Sequence, residues 1–512
     1  MLPLVLSSLL LSPAVAAAAQ RQRSVISRGD GFLRASINPI SGVPALRRRQ
    51  ISEDVENQKT GTRYAIDIGI GTPEQTITLI LDTGSPDLWV NPTCETANVP
   101  KECGQYPQFD YTKSTSLKTT GFADILSYGK GNASIEYITD TITIGSTKVK
   151  DQILGVNFES YDIPLGILGL SPPMDPSDPE NYPFLLDTMA AEGIIKSRAF
   201  SLDLRSVTEP EGAIIFGGLD TGKFSGSLAR LPMLDPSQSP QGFDRYWIVL
   251  TGVGLTLPDG TSDKSGTIEV PVFPDSGGTL TRLPTPIFQA FGESFPGAQF
   301  DAASGFYIVD CAVGDEAGSV DFYFGSKRIA VPFNDFIWHL ADGQSCVLGL
   351  LSDDDEPVLG DSFLRAAYVV HDQDNRALHM AQAANCGTNI VSIGSGKNAV
   401  PSVTGDCTAA PAPTAVGGGL DATATRQPTN VFTGSSPDAT AIGGGPGPAG
   451  GRTTASAVGL GPSATPSAKS AAGRTIAVSD IYGTSSTGLK VAVVLVAAVV
   501  DKEVLSARFH KR

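Results

Sequence analysis

The sequence contains few of the residue patterns that hold metals, phosphates or nucleic acids. Its four histidines and six cysteines are not spaced as a zinc site requires, and no phosphate-binding glycine-rich loop opens a helix. Lysine and arginine number 37, against 53 aspartates and glutamates. This acidic balance argues against a nucleic-acid partner.

Long helical patterns are also missing. The chain has no sustained heptad and few stretches that could form helical crossovers between parallel strands, so we expect an all-β protein with small helices. Its 512 residues exceed one ordinary domain, and 41% hydrophobic residues are ample for a large core. The net charge of -16 suits a protein that works in acid, because the repulsion between its negative charges weakens as the pH is lowered.

The first fifty residues are typical of a secretory leader followed by a propeptide. Residues 1–19 combine the apolar run Leu2–Leu11 with a run of alanines, which predicts a cleaved signal peptide. Residues 20–49 are predicted to be a propeptide, since residues 20–50 hold seven arginines and one aspartate. Such a basic segment can occupy an acidic cleft. Its Arg47–Arg49 run predicts a site for a dibasic-specific processing protease.

The last part of the chain is predicted to be a stalk. Residues 396–488 are dominated by alanine, glycine, serine, threonine and proline, which cannot bury enough apolar surface to fold. Residues 489–512 contain the apolar run Val491–Val500, which we interpret as the remnant of a GPI-attachment signal. That run is shorter than the roughly 20 residues that span a bilayer. The charged stretch Asp501–Arg512 follows it, whereas a GPI signal ends in its hydrophobic tail.

Two short stretches carry the candidate chemistry. Ile80–Ser85 and Phe273–Gly278 each run from apolar residues into aspartate, a small hydroxyl residue and glycine. This order predicts a strand that ends in a tight turn and presents one carboxylate, although a single such turn is common by chance. Two turns 193 residues apart suggest two lobes that deliver Asp82 and Asp275 to a shared cleft. The residues expected to support the two acids are Thr83, Gly84, Ser85, Ser276 and Gly277.

Other elements recur around the two turns. Gly166–Leu170 and Pro357–Asp361 both contain two aliphatic residues followed by glycine, and each comes after one of the aspartate turns. We interpret this as a degenerate repeat of a whole lobe. Alternating patterns predict strands at residues 64–71, 75–81 and Phe363–Asp372, and a short helix at Phe184–Glu192.

In this order the motifs resemble those of the pepsin-like aspartic proteases, and specifically the secreted or GPI-anchored yapsin-like branch of fungi. The two aspartate turns match the catalytic motifs, and Trp89 lies at the family's spacing from the first. Tyr128 and Gly129 match the flap, the hairpin that closes over substrate. The resemblance covers roughly residues 60–390 by several motifs together.

The resemblance implies the fold and the chemistry. The fold is bilobal, with two pseudo-symmetric β-barrel-like lobes at residues 50–240 and 241–395 and a cleft between them. As is known of this family, two carboxylates held close share one proton, so one activates a water and the other polarises the peptide carbonyl. This implies a monomeric endopeptidase that acts on proteins or peptides in acid, without a metal or a cofactor. A GPI anchor would be its only membrane attachment.

The resemblance also implies disulfide pairs. Cys94–Cys103 and Cys311–Cys346 are similar to the family's two common disulfides. The remaining cysteines, Cys386 and Cys407, are candidates to pair with each other. Six cysteines are an even number, which permits full pairing in a secreted protein.

Three positions bear on activity or modification. Gly278 stands where the family usually has threonine or serine, so a hydroxyl that steadies the carboxylate is missing, and Thr279 is the candidate replacement. Lys130 follows the flap residues in place of a small polar residue, which can alter substrate preference. Asn132 begins a glycosylation sequon at the flap tip, where a glycan would obstruct closure, so we expect low occupancy.

Other interpretations compete with an active protease. Because of Gly278, the main alternative is a catalytically impaired pepsin-like binding protein. A structural cell-wall protein would explain the stalk but not the paired aspartates. Asp353–Glu356 is interpreted as a solvated loop, since the alternating spacing of calcium ligands is absent. The histidines without a cysteine or serine partner pattern, which we interpret as core or surface residues, are His339, His371 and His379.

Overall fold

The computed structural model describes residues 27–29, 31–40, 63–408 with short gaps, and 476–477. The gaps are Lys130 and residues 176–180, 207–208, 210–211, 266 and 341–344. The predicted signal peptide, the Arg47–Arg49 run, the predicted stalk beyond residue 408 apart from 476–477, and residues 489–512 lie outside the described residues.

Strands dominate the described chain. Those that begin before residue 240 are β1 (Ser27–Gly29), β2 (Phe32–Ile40), β3 (Arg63–Ile70), β4 (Gln75–Asp82), β5 (Leu88–Val90), β6 (Lys118–Ser127), β7 (Asn132–Ile144), β8 (Thr147–Tyr161), β9 (Gly166–Gly169), β10 (Ala199–Asp203), β11 (Gly212–Phe216), β12 (Gly218–Asp220) and β13 (Phe224–Pro232). Those that follow are β14 (Ile248–Leu250), β15 (Gly252–Thr256), β16 (Ser262–Lys264), β17 (Val270–Pro274), β18 (Thr281–Leu283), β19 (Gln299–Asp301), β20 (Phe306–Val309), β21 (Ser319–Phe324), β22 (Lys327–Pro332), β23 (Ile337–His339), β24 (Cys346–Leu348), β25 (Leu350–Ser352), β26 (Val358–Leu359), β27 (Ala367–Asp372), β28 (Ala377–Ala383), β29 (Ile390–Ser392) and β30 (Ile476–Ala477).

The α-helices of the described chain are short. They are α1 (Pro100–Cys103), α2 (Leu185–Ala191), α3 (Thr285–Ser294), α4 (Phe333–Phe336) and α5 (Asp361–Leu364). None of these helices has the length and apolar character that a membrane crossing would need. The predicted class, all-β with small helices, is confirmed.

One large sheet runs through much of the molecule. Its strand order is β13-β28-β27-β10-β11-β2-β3-β4-β9-β5-β8-β7-β6-β30, with β1 added on β2. Late strands β27 and β28 therefore lie beside strands from the first half of the chain. Smaller sheets, β14-β17-β26-β18-β25, β16-β15-β21-β22 and β19-β20-β24-β23, build the second lobe.

The hydrophobic core reaches the two aspartate turns. Leu81 and Phe273, which precede the turns, are fully buried in the same continuous cluster. Leu168 and Leu359, from the two aliphatic-glycine elements, are buried in it as well. The residues that lead into each candidate acid are therefore fixed by close packing, which limits the movement of the acids.

The described part of the predicted propeptide lies in the sheet and not in the cleft. β2 pairs with β11 on one side and with β3 on the other. Leu33, Ala35 and Ile37 are buried in the core. The expectation that the basic segment occupies the cleft is therefore wrong for residues 31–40. The alternating apolar side chains of this segment favour a strand in the sheet, and this preference outweighs the attraction of its arginines to an acidic cleft.

The folded part of the chain that ends at residue 408, which we call the head, extends beyond the predicted boundary at residue 395. Ala399, Val400 and Cys407 are buried. Cys407 is disulfide-bonded to Cys386, and it forms a β-bridge with Ser225 at the start of β13. Residues 396–408 thus pack on the rest of the head, although their composition resembles that of the predicted stalk.

Most of the predicted strands and the predicted helix are confirmed, and one predicted strand is partly helical. The strands predicted at residues 64–71 and 75–81 are confirmed as β3 and β4, and the predicted helix is confirmed as α2. The sequence predicts one strand over Phe363–Asp372, whereas the structure forms α5 first and begins β27 at Ala367. The reason is a helical turn, since the Phe363 and Leu364 amides both donate to the Gly360 carbonyl at 2.9 Å.

Candidate active site

The first candidate acid lies at the end of β4. β4 pairs in parallel with β9, which places Asp82 opposite Gly169. The Leu170 amide donates to the Asp82 carbonyl at 2.8 Å, so the first aliphatic-glycine element is hydrogen-bonded to the turn and stabilises it. The Asp82 side chain is 5% exposed.

The second candidate acid has the equivalent position in the other lobe. β17 pairs in parallel with β26, and the Asp275 amide donates to the Leu359 carbonyl at 3.0 Å. Asp275 is half-buried and faces the cleft. The same parallel pair of strands therefore supports one aspartate in each lobe, as the predicted repeat requires.

The two turns are locked together by their hydroxyl residues. The Thr83 amide donates to Ser276 Oγ at 3.2 Å, and the Ser276 amide donates to Thr83 Oγ1 at 3.0 Å. Each hydroxyl then donates to the opposite turn, Thr83 to the Pro274 carbonyl at 3.0 Å and Ser276 to the Leu81 carbonyl at 2.8 Å. All four bonds are buried, so the relative position of the two acids is tightly constrained.

The glycines after the acids allow the carboxylates to meet. A Cβ on Gly84 would lie 2.7 Å from Asp275 Oδ1, and a Cβ on Gly277 would lie 2.7 Å from Asp82 Oδ1. Any larger residue would therefore push the opposite carboxylate away. The Gly84 amide donates to Asp82 Oδ1 at 2.7 Å, and the Gly277 amide donates to Asp275 Oδ1 at 2.8 Å.

The electrostatics of the pair favour a shared proton. Burial raises the pKa of Asp82, and the neighbouring charge of Asp275, with which it is hydrogen-bonded, raises it further. Hydrogen bonds from the Ser85 hydroxyl and the Gly84 amide act in the opposite direction on that pKa. The pair therefore keeps one proton to a higher pH than an isolated carboxyl would.

The missing hydroxyl at Gly278 is not replaced by Thr279. Asp275 Oδ2 lies 3.3 Å from the position of a Cβ on Gly278, which is where a threonine would sit. The Thr279 carbonyl accepts a hydrogen bond from the Ser362 amide at 3.2 Å. Among the described residues, the amide of Gly277, and not the Thr279 hydroxyl, is the group seen to donate to the Asp275 carboxylate.

The predicted flap residues lie above the acids. Tyr128 follows β6 in the tip of the β6–β7 hairpin, and Trp89 Nε1 donates to its hydroxyl at 2.7 Å. That hydroxyl is hydrogen-bonded to Ser85, which in turn donates to Asp82 Oδ2. The flap base is thus connected to the acids by consecutive hydrogen bonds. Gly129 lines the cleft, while Lys130 lies outside the described residues.

Asp87, a buried carboxylate that follows the first turn, was not predicted from the sequence. Asp87 Oδ1 accepts hydrogen bonds from Tyr137 at 2.8 Å and Tyr182 at 2.5 Å. Burial raises the pKa of Asp87. Tyr137 and Tyr182 pack in the same apolar cluster as Trp89, so Asp87 fixes residues beside the cleft and is not among those that line it. Its place two residues after the Asp82–Ser85 motif was the available signal.

Charged residues of the cleft wall were also missed. Arg245 and Arg282 line the cleft together with Glu356. Arg282 pairs with Asp353 at 3.2 Å and with Glu356 at 3.4 Å, and Arg245 pairs with Glu356 as well. The predicted solvated loop at Asp353–Glu356 is therefore only partly correct, because two of its acids are held by arginines beside the active site.

The remaining candidates lie away from the acids. His371 is buried against Phe200 at a ring distance of 4.4 Å, and burial lowers its pKa to about 3. His379 is mostly buried, and burial lowers its pKa to about 4. His339 is exposed beside the Cys311–Cys346 disulfide, whose sulfurs are bonded to each other and thus are not metal ligands. The interpretation of these histidines as core or surface residues is confirmed.

The two predicted disulfides are both formed, and the glycosylation sequon lies beside the flap. Cys94 and Cys103 are bonded to each other near the first turn, and Cys311 and Cys346 are bonded in the second lobe. Asn132 is the first residue of β7 and is partly exposed beside the flap tip.

Comparison with known proteins gives a consistent result. Residues 63–383 match the family described as eukaryotic aspartyl protease. The chain is 34% identical over 383 residues to the probable aspartic-type endopeptidase OPSB of Arthroderma benhamiae, covering 70% of this chain and 76% of that protein. It is 33% identical over 364 residues to aspartic proteinase yapsin-3 of Saccharomyces cerevisiae, covering 66% and 69%.

A solved structure supports the fold. The crystal structure of aspartic proteinase from Irpex lacteus superposes with a TM-score of 0.53 at 22% sequence identity. The superposition covers 69% of this chain and 98% of that one. At this identity the likeness concerns the fold alone, and it agrees with the two lobes described above.

Proposed function

Since this chain belongs to the eukaryotic aspartyl protease family and is an aspartic-type endopeptidase, we propose that Asp82 and Asp275 are its catalytic pair. The observation that carries this proposal is the reciprocal Thr83–Ser276 lock, which aims one carboxylate from each lobe at a common point. Ser85, Gly84 and Gly277 support the two acids through the hydrogen bonds described above.

The pair acts by general acid–base catalysis. The ionised carboxylate takes a proton from a bound water, and the water oxygen attacks the peptide carbonyl carbon. The protonated carboxyl donates to the carbonyl oxygen as negative charge develops there. Proton transfer to the peptide nitrogen then completes cleavage. The proton belongs to the pair, and we do not assign it to Asp82 or Asp275.

The flap residues position the substrate. Tyr128 is held by Trp89 and Ser85, so its hydroxyl has a fixed place over the cleft. Burial, together with the nearby carboxylates Asp87 and Asp82, raises the pKa of Tyr128. The hydroxyl therefore stays protonated, and it remains a hydrogen-bond donor throughout the acidic range.

An inhibitor assay tests the assignment. The purified enzyme is incubated with an unfolded protein substrate at about pH 4, with and without pepstatin. We expect cleavage that pepstatin blocks. A protein that binds pepstatin but cleaves nothing would instead support the impaired binding protein, and Gly278→Thr would then be the variant that restores turnover.

We extend the proposal to processing. A signal peptide of residues 1–19 is removed on export, and a protease cuts after Arg47–Arg49, so the catalytic chain begins near Gln50. N-terminal sequencing of the secreted protein tests this step. An active protein whose chain begins at about residue 20 would contradict it.

The location is proposed to be the cell surface. A low-complexity stalk after the folded head would carry the enzyme through a cell wall, and the Val491–Val500 run would direct GPI attachment. Treatment of intact cells with a phosphatidylinositol-specific phospholipase should release the protease. If all activity is already in the medium and none is released, the enzyme is secreted without an anchor.

A further inference from the structure

The strand β2 occupies a central position in the large sheet, and the proposed cut after Arg49 would separate it covalently from the catalytic chain. Its nine residues, Phe32–Ile40, lie between β11 and β3. Gly212–Phe216 pair with its first half, and Arg63–Ala65 pair with its last residues. In the described chain, β2 is the only link in the large sheet between the β13-to-β11 strands and the β3-to-β6 strands.

Among the described side chains of β2, one face is fully buried, and the other is buried at Ser36 and partly exposed at Phe32 and Arg34. Leu33, Ala35 and Ile37 point to one face, and each is no more than 1% exposed. Ser36, on the other face, is 0% exposed. Without β2, two strand edges and the core beneath them would meet water, which is unfavourable for apolar side chains and for unpaired backbone groups alike.

A charge also ties β2 to the sheet. Burial raises the pKa of Asp203 to about 7, and the positive charges of Arg205, Lys223 and, more weakly, Arg34 act in the opposite direction on that pKa. Asp203 is also paired with Arg205 at 3.5 Å. Departure of β2 would remove one of the positive charges that compensate this buried acid.

The proposed cut falls between β2 and the catalytic chain. Six residues separate Ile40 from the Arg47–Arg49 run. Cleavage there breaks the only covalent connection between β2 and the rest of the head. The sheet must then either keep β2 without a covalent link or fill its place with the new N-terminal segment, residues 50–62.

The new N-terminal segment is a poor substitute for β2. Only one register puts apolar residues at both ends of the buried face, with Ile51 at the Leu33 position and Val55 at the Ile37 position. Four residues would then remain to turn into β3, so chain length permits the exchange.

The chemistry of that register is unfavourable. Glu53 would take the place of Ala35, and Asp54 would take the place of Ser36. Both sites are buried and hold small side chains, Ala35 at 1% and Ser36 at 0% exposure, so a carboxyl at either site would lose its water. Burying a carboxyl without a partner is costly. Shifting the segment along the chain places other glutamates, amides or Lys59 in the same positions.

We propose that the propeptide strand remains bound after processing, so that the working enzyme is a complex of the catalytic chain with its own strand β2. This proposal rests on the proposed cut after Arg49. The partner is thus a peptide of this same chain, held by strand pairing on both edges and by Leu33, Ala35 and Ile37 on its buried face.

An engineered cut tests the proposal on the full-length protein. Arg47–Arg49 are replaced by the site of a sequence-specific protease, the secreted protein is cut in vitro, and the product is analysed by size-exclusion chromatography and native mass spectrometry. We expect one peptide containing Phe32–Ile40 on each catalytic chain, released only by denaturant. Loss of the peptide in plain buffer, with a folded and active enzyme left behind, would overturn the proposal.

Two variants sharpen the result. Glu53→Ala combined with Asp54→Ser copies the buried residues of β2, so the N-terminal segment should now compete, and the peptide should dissociate at least about tenfold faster after the cut. Glu56→Ala is the matched control, because its position lies outside the two buried sites, and it should leave the rate unchanged. Equal retention in the double variant and the wild type would contradict the argument from buried carboxyls.

The same experiment separates the two proposals. If the secreted wild-type protein is never cut at Arg47–Arg49, the proposed processing is wrong. The engineered cut still decides whether β2 stays bound once the chain is broken, because it does not depend on a natural processing protease.

Discussion

Thr83 and Ser276, one from each lobe, exchange hydrogen bonds in both directions: each amide donates to the other residue's hydroxyl, at 3.2 and 3.0 Å. Each hydroxyl also donates to a carbonyl of the opposite turn. The arrangement is nearly two-fold symmetric, although the residues are threonine in one lobe and serine in the other. It fixes Asp82 and Asp275 as a unit.

Removing one side of this lock should reduce both stability and turnover. Ser276→Ala deletes one donor and one acceptor and leaves the Thr83 amide and the Leu81 carbonyl unsatisfied in a buried place. We expect a loss of about 2–4 kcal/mol in the free energy of unfolding and a clear fall in kcat, because the acids lose their fixed spacing. Denaturant unfolding and peptide kinetics measure these effects. Ser116→Ala, a partly buried serine away from the turns, is the control, and an equal loss of kcat there would refute the role of the lock.

Asp82→Asn and Asp275→Asn should each abolish cleavage while the protein still folds and is secreted. Asparagine keeps the shape and the backbone hydrogen bonds of each turn, but its neutral amide can act neither as a general base towards the water nor as a general acid towards the peptide carbonyl. We expect kcat/KM to fall at least about 10⁴-fold, as for the loss of a group that acts within a catalytic unit. The exposed Asp355→Asn should be indistinguishable from the wild type. A variant of either catalytic aspartate with near-normal turnover would remove that residue from the mechanism.

The raised pKa of Asp82 links stability and activity to pH. Its folded-state pKa lies above the value of about 3.9 in an unfolded chain, so the native state binds more protons across that interval. This contribution to stability is full below about pH 4 and is lost as the pH rises through the folded-state value. Activity should fade in the same direction, because the catalytic pair loses its shared proton.

A comparison of pH dependences isolates this effect. Asp82→Asn removes the repulsion between the two carboxylates, so its free energy of unfolding relative to the wild type should be higher at neutral pH than at about pH 4, by at least about 1 kcal/mol. His371, whose low pKa acts in the opposite sense in acid, is common to both proteins and cancels. Identical pH dependences would mean that Asp82 titrates normally.

The Cys386–Cys407 disulfide should hold the last folded segment. Replacing both cysteines with serine opens a loop with a sequence separation of 21 and should cost roughly 3 kcal/mol in stability. Buried Ala399 and Val400 would then become accessible, so limited proteolysis should cut near residues 396–408 first. The Cys94–Cys103 pair, replaced in the same way, is the control and should leave that region protected. Unchanged protection without Cys386–Cys407 would mean that packing alone holds the segment.

Local motifs made the candidate acids predictable. Asp82 and Asp275 carry their signal in adjacent residues, namely a hydroxyl and a glycine after an apolar run. The strands β3 and β4 were equally readable, because apolar alternation and a Gly-Thr-Pro turn are local features. Such features need no knowledge of the distant chain.

Long-range features were not predictable in this way. Arg282 and Glu356 meet across 74 residues, and nothing near either residue indicates the pair. The turn of α5 depends on the Gly360 carbonyl, which overrides the strand-like side chains of Phe363 and Leu364. For β2, the alternation at Leu33, Ala35 and Ile37 is present in the sequence, but the charge of the segment, which was our only basis for prediction, does not indicate a strand.

The Arg282 pairs lead to a prediction about substrate preference. Arg282 lies beside the flap, with its Nη1 3.9 Å from the position of a Cβ on Gly129, and its side chain is 27% exposed. It neutralises Asp353 and Glu356 at the cleft wall. Arg282→Gln keeps most of the volume and leaves these acids without that cation. We therefore expect kcat/KM for peptides with lysine or arginine to rise relative to matched neutral peptides by about 2–5-fold, since partly exposed ion pairs contribute up to about 1 kcal/mol. Paired peptide substrates that differ at one position measure this ratio. The change should disappear at high salt, because screening weakens attraction between exposed charges.

Arg328→Gln is the control, since that arginine pairs with Asp321 away from the cleft and should leave the ratio unchanged. A ratio in Arg282→Gln equal to that of the wild type would mean that the acids at this wall do not contact substrate.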